Sequence, residues 1–541
     1  MEPVAKIGRS EMWEHFDLIS PNKVQCLICD QKLAYNNNTS SMLRHFRAKH
    51  DRATATAQAE SSSQGNRKDR IDEALVHMVV KDSQPFSIVD DVGFRAFVSL
   101  LDPSYILPSR QTVKAMVESK FVEERQKAKD ELLNATAVSL TSDMWTSIHM
   151  DAYLAITCHY INADDKLSTI LLSVGKFPER HTAANIAATK TSVMEEWGIQ
   201  GKVRCLVTDG AANMLACGNI LQLRHSICIA HAINLLVKKA IDQTPGLEEI
   251  RGKARKIAAY FRTSTVARER LLSIQQQMGI PVHKLVQEVE TRWNSTYEMM
   301  ARLYEQREPV SAAMVSLSTD LAALTPAEYH NIAECLGPLS PLKEAMVELS
   351  SEKTVSGSKI VPLVRMLRHA INTKLREVNG EMAKELCTNL MRLMMERLSH
   401  YETASQHSLA TLLDPRFKAV GFCNPGNSQN AIRRLTAECS FLFKDSSTPP
   451  DPAAQEPAES SGTGLWDLLD LHVSETRKVK SATANATVEV QRYLSEPNIQ
   501  RSEDPLQFWA QHKHVYPHLY VLARNILCTP ASSVPYVLIE Y

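Results

Sequence analysis

Apolar residues along this chain follow two rhythms, and the change from one to the other divides it. Over 137–140, 153–161, 167–174 and 203–207 they come in short blocks rich in β-formers, the pattern of buried strands. A helical spacing over 182–197 separates the third block from the fourth, so the order reads β-β-β-α-β. A further strand at 226–229 leads into a helix over 230–241. From 242 to 443 the spacing is helical almost throughout, with amphipathic runs at 248–261, 265–278, 296–308, 327–350, 358–378 and 383–401. Ahead of the strands, 71–125 predicts a compact set of helices, the second marked by Phe94, Phe97, Leu100 and Leu101 and stopped at Asp102-Pro103, the third starting after Pro108-Ser109. Two stretches have no period. The first, 53–70, is Ala, Thr, Ser and Gln and reads as a flexible tether; the second, 446–464, is Pro, Ser, Ala and Glu and reads as a disordered loop.

Bulk properties narrow the class. At 541 residues the chain exceeds one ordinary core, so about two to four domains are expected. Hydrophobic residues are 44% and charged residues 23%, a globular profile, and no apolar run approaches the length of a membrane helix. Basic and acidic residues balance at 61 each, so any nucleic-acid binding must come from a local basic surface. Eleven cysteines without a regular framework, in a chain opening without an apolar leader, predict a reducing compartment.

Two places carry candidate chemistry. Asp143 and Asp209 each follow one of the strand blocks, so each carboxylate is expected at the end of a buried strand. If those strands are neighbours, the acids converge on one point and offer hard oxygen ligands suited to Mg²⁺ or Mn²⁺. Taken alone, an Asp at the end of a strand is more often a turn former or helix N-cap than a metal ligand. Near the N-terminus, Cys26 and Cys29 are followed by His45 and His50, two thiolates and two imidazoles with short gaps inside each pair. That spacing predicts a closed tetrahedral Zn²⁺ site on a small β-hairpin and helix, with the metal supplying stability that about 50 residues cannot find alone. The helix is expected from Thr39, capped by Ser40 or Ser41, with Arg44, Arg47 and Lys49 along it and Arg52 beyond. Cys228 and His231 also have metal-like spacing but lack a second pair, which favours a packed structural role.

The words around the two acids, Leu140-Thr141-Ser142-Asp143-Met144-Trp145 and Leu206-Val207-Thr208-Asp209-Gly210-Ala211, resemble the first two catalytic blocks of hAT-family transposases. Cys228-Ile229-Ala230-His231, Thr291-Arg292-Trp293-Asn294-Ser295 and Leu412-Leu413-Asp414-Pro415-Arg416-Phe417-Lys418 resemble later blocks in the same order. Trp13 and Phe16 before the cysteines, with a long gap to the histidines, resemble a BED-type zinc finger. The β-β-β-α-β order is that of an RNase H-like nuclease core. The resemblance implies a multidomain α+β chain: a ββα BED zinc finger over 8–52, a flexible linker over 53–70, a small helical domain over 71–125, an RNase H-like α/β core opening over 126–241, an all-helical insertion over 242–445, a disordered loop over 446–464 and a hAT dimerisation-type region over 465–541. It further implies double-stranded DNA as partner, read by Arg44 and Arg47 and clamped by Lys49 and Arg52, with Trp293 stacking on an exposed base. Phe508, Trp509, Leu519, Leu522 and Ile526 would form a homodimer contact or complete the chain's own core.

One position departs from the family. Two residues after Pro530-Ala531-Ser532-Ser533 the family carries Ser-Glu-Arg, whose Glu is the third metal-binding acid; here that place is Val537, and the dimerisation region reads as truncated. Asp143 and Asp209 are then vestigial, and Mg²⁺ or Mn²⁺ is expected only if the core retains residual binding. The sequence therefore predicts a nuclear, domesticated transposase relative that regulates transcription, with no strand transfer, no membrane contact and no small-molecule substrate. The alternatives are a truncated product of an active transposase and a protein-interaction scaffold.

Overall fold

The computed structural model describes residues 11–36, 39–50, 67–351, 353–445 and 467–533; within these, the side chains of Glu11, Glu14, Arg47, Ala48, 444–445, 467–468 and 470–481 are not described. Contacts divide the chain between Lys127 and Ala128 into two compact units.

In the first unit, β1 (Phe16–Ser20), β2 (Lys23–Cys26) and β3 (Lys32–Ala34) pair antiparallel in that order, and α1 (Ser40–Lys49) follows. The expected hairpin thus gains a third, short strand. Phe16, Val24 and Met42 are buried between sheet and helix, with Trp13 packed edge-on to Tyr35 at 5.4 Å. Neither expected serine caps α1 in the expected way: Thr39 holds the N-cap position without a side-chain bond, and Ser41 Oγ donates to the Ala34 carbonyl at 3.1 Å. Next come α2 (67–81), α3 (Val92–Leu101) and α4 (Arg110–Asn134). A border at 125/126 does not interrupt α4, which runs on because Glu123, Glu124 and Lys127 pair at helical spacing across that point. The apolar stripe of α3 is largely uncovered: Phe97, Leu100 and Leu101 are all exposed.

The second unit is built on a five-stranded sheet of order β6-β5-β4-β7-β8, made of β4 (Val138–Thr146), β5 (Ala152–Ile161), β6 (Leu167–Lys176), β7 (Val203–Thr208) and β8 (His225–Ile227). The first three run antiparallel as a meander; β7 and β8 join parallel to β4. Alternation along β4 explains the layers. Val138 and Leu140 face a core shared with α5 (Ala183–Glu196) and α6 (Ala212–Ile220), while Ser139 turns the other way and meets Thr529 at 2.7 Å. The helix α7 (Ile229–Asp242) continues from β8.

A large helical core follows, made by α8 (Leu247–Thr263), α9 (Thr265–Gln277), α10 (Trp293–Glu305), α11 (Arg307–Ser316), α12 (Pro326–Leu349), α13 (Ile360–Glu377) and α14 (Glu381–Leu398), together with α7. Its buried residues run on to Tyr401, on the short α15 (His400–Thr403), and take in Ala531 of the tail. Beyond it, α16 (Ser405–Leu413), α17 (Pro425–Asp445), α18 (Asp467–Ser495), α19 (Pro505–His512) and α20 (Pro517–Leu527) share a separate core with Ile161 of the sheet. Amphipathic spacing marks the buried face of each helix but not its neighbour, so the sequence does not separate the two cores.

The block Leu412 to Lys418 clamps that second core. Asp414 is fully buried, held by Ser358 Oγ at 2.6 Å and by two nitrogens of Arg416 at 2.9 and 2.7 Å. Lys418 adopts φ 45° and donates to the carbonyls of Tyr493 and Glu496 at the end of α18, at 2.7 and 2.8 Å. Phe508, Trp509, Leu519, Leu522 and Ile526 are all buried here. Of the two roles expected for that stripe, the structure selects completion of the chain's own core.

Candidate functional sites: a metal-folded finger and an acidic cleft

Cys26 ends β2, and the chain turns back at once: the amide of Asp30, at φ 56°, donates to the Cys26 carbonyl at 2.9 Å, which brings Cys29 round. His45 sits on the inner face of α1, and His50 follows the helix, its amide still bonded to the Phe46 carbonyl. The four ligand atoms lie within 4.8 Å of one another. Cys26 Sγ is 3.5 Å from His50 Nε2, Cys29 Sγ is 3.2 Å from His45 Nε2, and the two Nε2 atoms are 3.3 Å apart. A tetrahedron with Zn–N of about 2.0–2.1 Å and Zn–S of about 2.3 Å has edges of about 3.3–3.8 Å, so the set fits Zn²⁺. Burial, then the neighbouring His50 and Lys49, lower the His45 pKa, which favours the neutral imidazole a metal needs. Of the basic residues expected to meet DNA, Arg44 and Lys49 are exposed on α1; the Arg47 side chain and Arg52 lie outside what is described.

The two aspartates meet as the strand order requires. Thr141 of β4 pairs with Val207 of β7 in parallel register, so two residues further on Asp143 and Asp209 fall side by side. Asp143 does not end its strand: β4 runs on to Thr146, and Asp143 is paired with Ala155 of β5. Trp145 and Thr146 are strand formers and, with Met144, carry the ladder on against Leu154, Tyr153 and Ala152. Asp209 follows β7 directly, and its carboxylate accepts from the Ala211 amide at 3.3 Å. Burial raises the Asp143 pKa, and the charge of Asp209 raises it further, against smaller opposing effects of the Met144 amide, His231 and Arg292. Behind Asp209, Lys190 is buried with its ammonium 3.7 Å from Met214 Sδ, and burial lowers its pKa.

A cleft of about 450 Å³ opens over Asp143, lined by Trp145, His231, Asn234, Arg292 and Trp293 among others. Its far wall is set by Asn234, whose amide donates to the Thr291 carbonyl at 3.0 Å and accepts from the Trp293 amide at 2.9 Å. Lys238 adds a bond to the Glu290 carbonyl at 2.7 Å. Trp293 borders the cleft but is 1% exposed and packs into the helical core, whereas the expected stacking role needs an open ring face. Cys228 and His231 part company. Cys228 is fully buried against Ser532 and Ser533, whereas His231 lines the cleft; among the described residues the finger alone gathers a metal-binding set. Sequence reasoning missed Asn234, Arg292 and Trp145, although positions 231, 234 and 238 share one face of α7 by their spacing.

Comparison with known proteins finds four family matches along the chain. The BED zinc finger family matches residues 10–51, the ZBED1 RNase-like domain 141–233, the ZBED1 RNase-like helical domain 227–336, and the hAT family C-terminal dimerisation region 489–536. Zinc finger BED domain-containing protein 4 of Homo sapiens is 27% identical over 99% of this chain, which spans 49% of that protein. Zinc finger BED domain-containing protein DAYSLEEPER of Arabidopsis thaliana is 26% identical over 97% of this chain and 82% of its own length. Putative AC transposase of Zea mays is 24% identical over 98% of this chain and 72% of its own length. The chain is a BED zinc-finger protein derived from an hAT transposase.

In this transposase-derived protein the finger's metal is structural Zn²⁺. The described part of the tail runs to Ser533, with the Ala531 carbonyl accepting from the Ile229 amide at 3.1 Å and so docking the tail beside the end of β8. Val537 lies outside the described residues. No helix among the described residues is long and apolar enough to cross a membrane.

Proposed function

We propose that this BED zinc-finger protein binds duplex DNA through the zinc-folded finger and acts in the nucleus as a domesticated transcription regulator without strand-transfer activity. The observation that carries the reading is the four-ligand set that fixes α1 with Arg44 and Lys49 outward. Helix α1 is ten residues long, enough to lie in a major groove, where Arg44 reads base edges and Lys49 meets phosphate. Loss of strand transfer is supported by Val537, which offers no oxygen where related enzymes place a third acid. The 53–70 stretch serves as a tether between finger and body, and the divisions at 8–52, 71–125, 126–241, 242–445, 446–464 and 465–541 are part of the same reading. Self-association through the 489–536 region would use faces other than the buried Trp509 and Leu519.

Selection of duplexes from a random pool with the full chain tests this. A shared site should be enriched, and binding should disappear with a strong zinc chelator and return with Zn²⁺. Failure to enrich any site overturns the DNA reading. A second reading, retained transposase chemistry, draws on the adjacency of Asp143 and Asp209; joining of duplex ends in Mn²⁺, abolished by Asp143→Asn, would establish it instead.

A further inference from the structure

A groove of about 550 Å³ lies in the helical layer where α8 hands over to α9 and the segment 280–285 folds back beside them. Its floor is apolar. Phe261 is buried, while Leu272 and Val282 remain 39% and 52% exposed. Its rim is cationic: Arg262, Arg268 and Lys284 line it, all exposed and, among the described residues, none engaged in an ion pair. Glu269 is the one carboxylate lining the groove, and His283 is already bonded to Glu305 at 2.6 Å. The groove is also held in shape, because the buried Gln275 amide donates to the His283 carbonyl at 2.9 Å and to Gln306 at 2.8 Å, fixing the returning segment against α9.

We propose that this groove binds, in trans, an acidic peptide segment of a partner protein that carries one or two large apolar side chains. Apolar side chains would cover Leu272 and Val282, and the flanking carboxylates would meet Arg262, Arg268 and Lys284. Three cations against one carboxylate set the sign of the partner. The apolar floor sets its class: phosphate backbone is bound by charge and polar donors and gains nothing from exposed leucine and valine in a concavity, whereas an amphipathic peptide segment uses both.

Random peptides of about twelve residues displayed against the full chain provide the test. Enriched sequences should combine Asp or Glu with Leu or Phe. Their affinity, read by fluorescence polarisation, should fall roughly tenfold or more in Arg268→Glu/Lys284→Glu and weaken with added salt. Leu272→Asn, which leaves the rim charges in place, should weaken the same peptides independently. Lack of acidic, apolar enrichment, or binding indifferent to both variants, overturns the proposal. So does a result in which the rim variant loses only affinity for a random-sequence duplex, since the groove would then be a nucleic-acid surface.

Discussion

Replacing Asn234 with alanine should loosen the wall of the cleft by about 2 kcal/mol, and the structure shows how that figure arises. Helix α10 begins at Trp293, and its N-cap, Arg292, offers no side-chain bond to the first turn. The cap comes instead from a neighbouring helix: Asn234 on α7 accepts from the Trp293 amide at 2.9 Å. Removing a cap costs roughly 1 kcal/mol, and up to about 2 where the donor is left dry. The second bond, from the Asn234 amide to the Thr291 carbonyl, adds about 0.5–1 kcal/mol at most, because exposed Thr291 can turn to water. A total near 2 kcal/mol is about thirtyfold in local opening. Hydrogen exchange followed by mass spectrometry on peptides covering 291–305 would read it directly. Asn234→Asp keeps the acceptor and adds charge at a helix N-terminus, so it should retain most of the protection that Asn234→Ala loses. Unchanged exchange in Asn234→Ala, or equal loss in both variants, refutes the borrowed cap.

Three further outcomes are expected. Arg44→Ala should weaken DNA binding while leaving the zinc site intact, because its side chain is exposed on α1; unchanged affinity at physiological salt would remove it from the interface. Arg416→Ala strands the buried Asp414 carboxylate and should cost about 3–5 kcal/mol in urea unfolding, with Arg416→Lys recovering only part, because lysine cannot supply two parallel bonds. His159 and His407 are buried and pushed down to about 4, so the native state keeps them neutral while the unfolded chain takes up protons below about 6.5. Stability is then complete above that value and lost as pH falls towards 4, by an order of about 3 kcal/mol per histidine; His159→Gln should flatten this acid limb of the melting curve, and an unchanged limb would refute the assignment.

The strands, their order and the meeting of two acids were legible because short apolar blocks each leading to an acid are local signals, although β4 running on past Asp143 was not. What escaped was decided between elements. Trp293 sits in a polar-looking word, Thr-Arg-Trp-Asn, yet its ring fills the helical core, and only tertiary packing distinguishes that from a presented stacking platform. The apolar stripe of α19 and α20 matches two roles equally well in the sequence; the fold decides between them, with Trp509 donating to the Leu413 carbonyl at 2.8 Å inside the chain's own core. Conversely, α3 has a strong apolar face that the structure leaves uncovered, so a stripe alone does not announce a buried helix.

The family-like words thus divide into two kinds of work. Those at Asp143, His231 and Arg292 line the cleft, with Asp209 beside Asp143, whereas the word at Asp414 to Lys418 contacts neither acid and instead ties the turn before α13, the end of α16 and the end of α18 together through buried charge. On the proposed loss of strand transfer, catalysis gives no reason to keep the first set, whereas stability gives a reason to keep the second, because breaking a buried ion pair is costly. Substitutions at Asp143 should therefore leave melting almost untouched or raise it, since a half-buried carboxylate beside Asp209 is unfavourable, while substitutions at Asp414 should lower it sharply. Equal loss of stability from Asp143→Asn and Asp414→Asn would mean that the acidic pair still holds the sheet together, and that the cleft is kept for the fold and not as a remnant of chemistry.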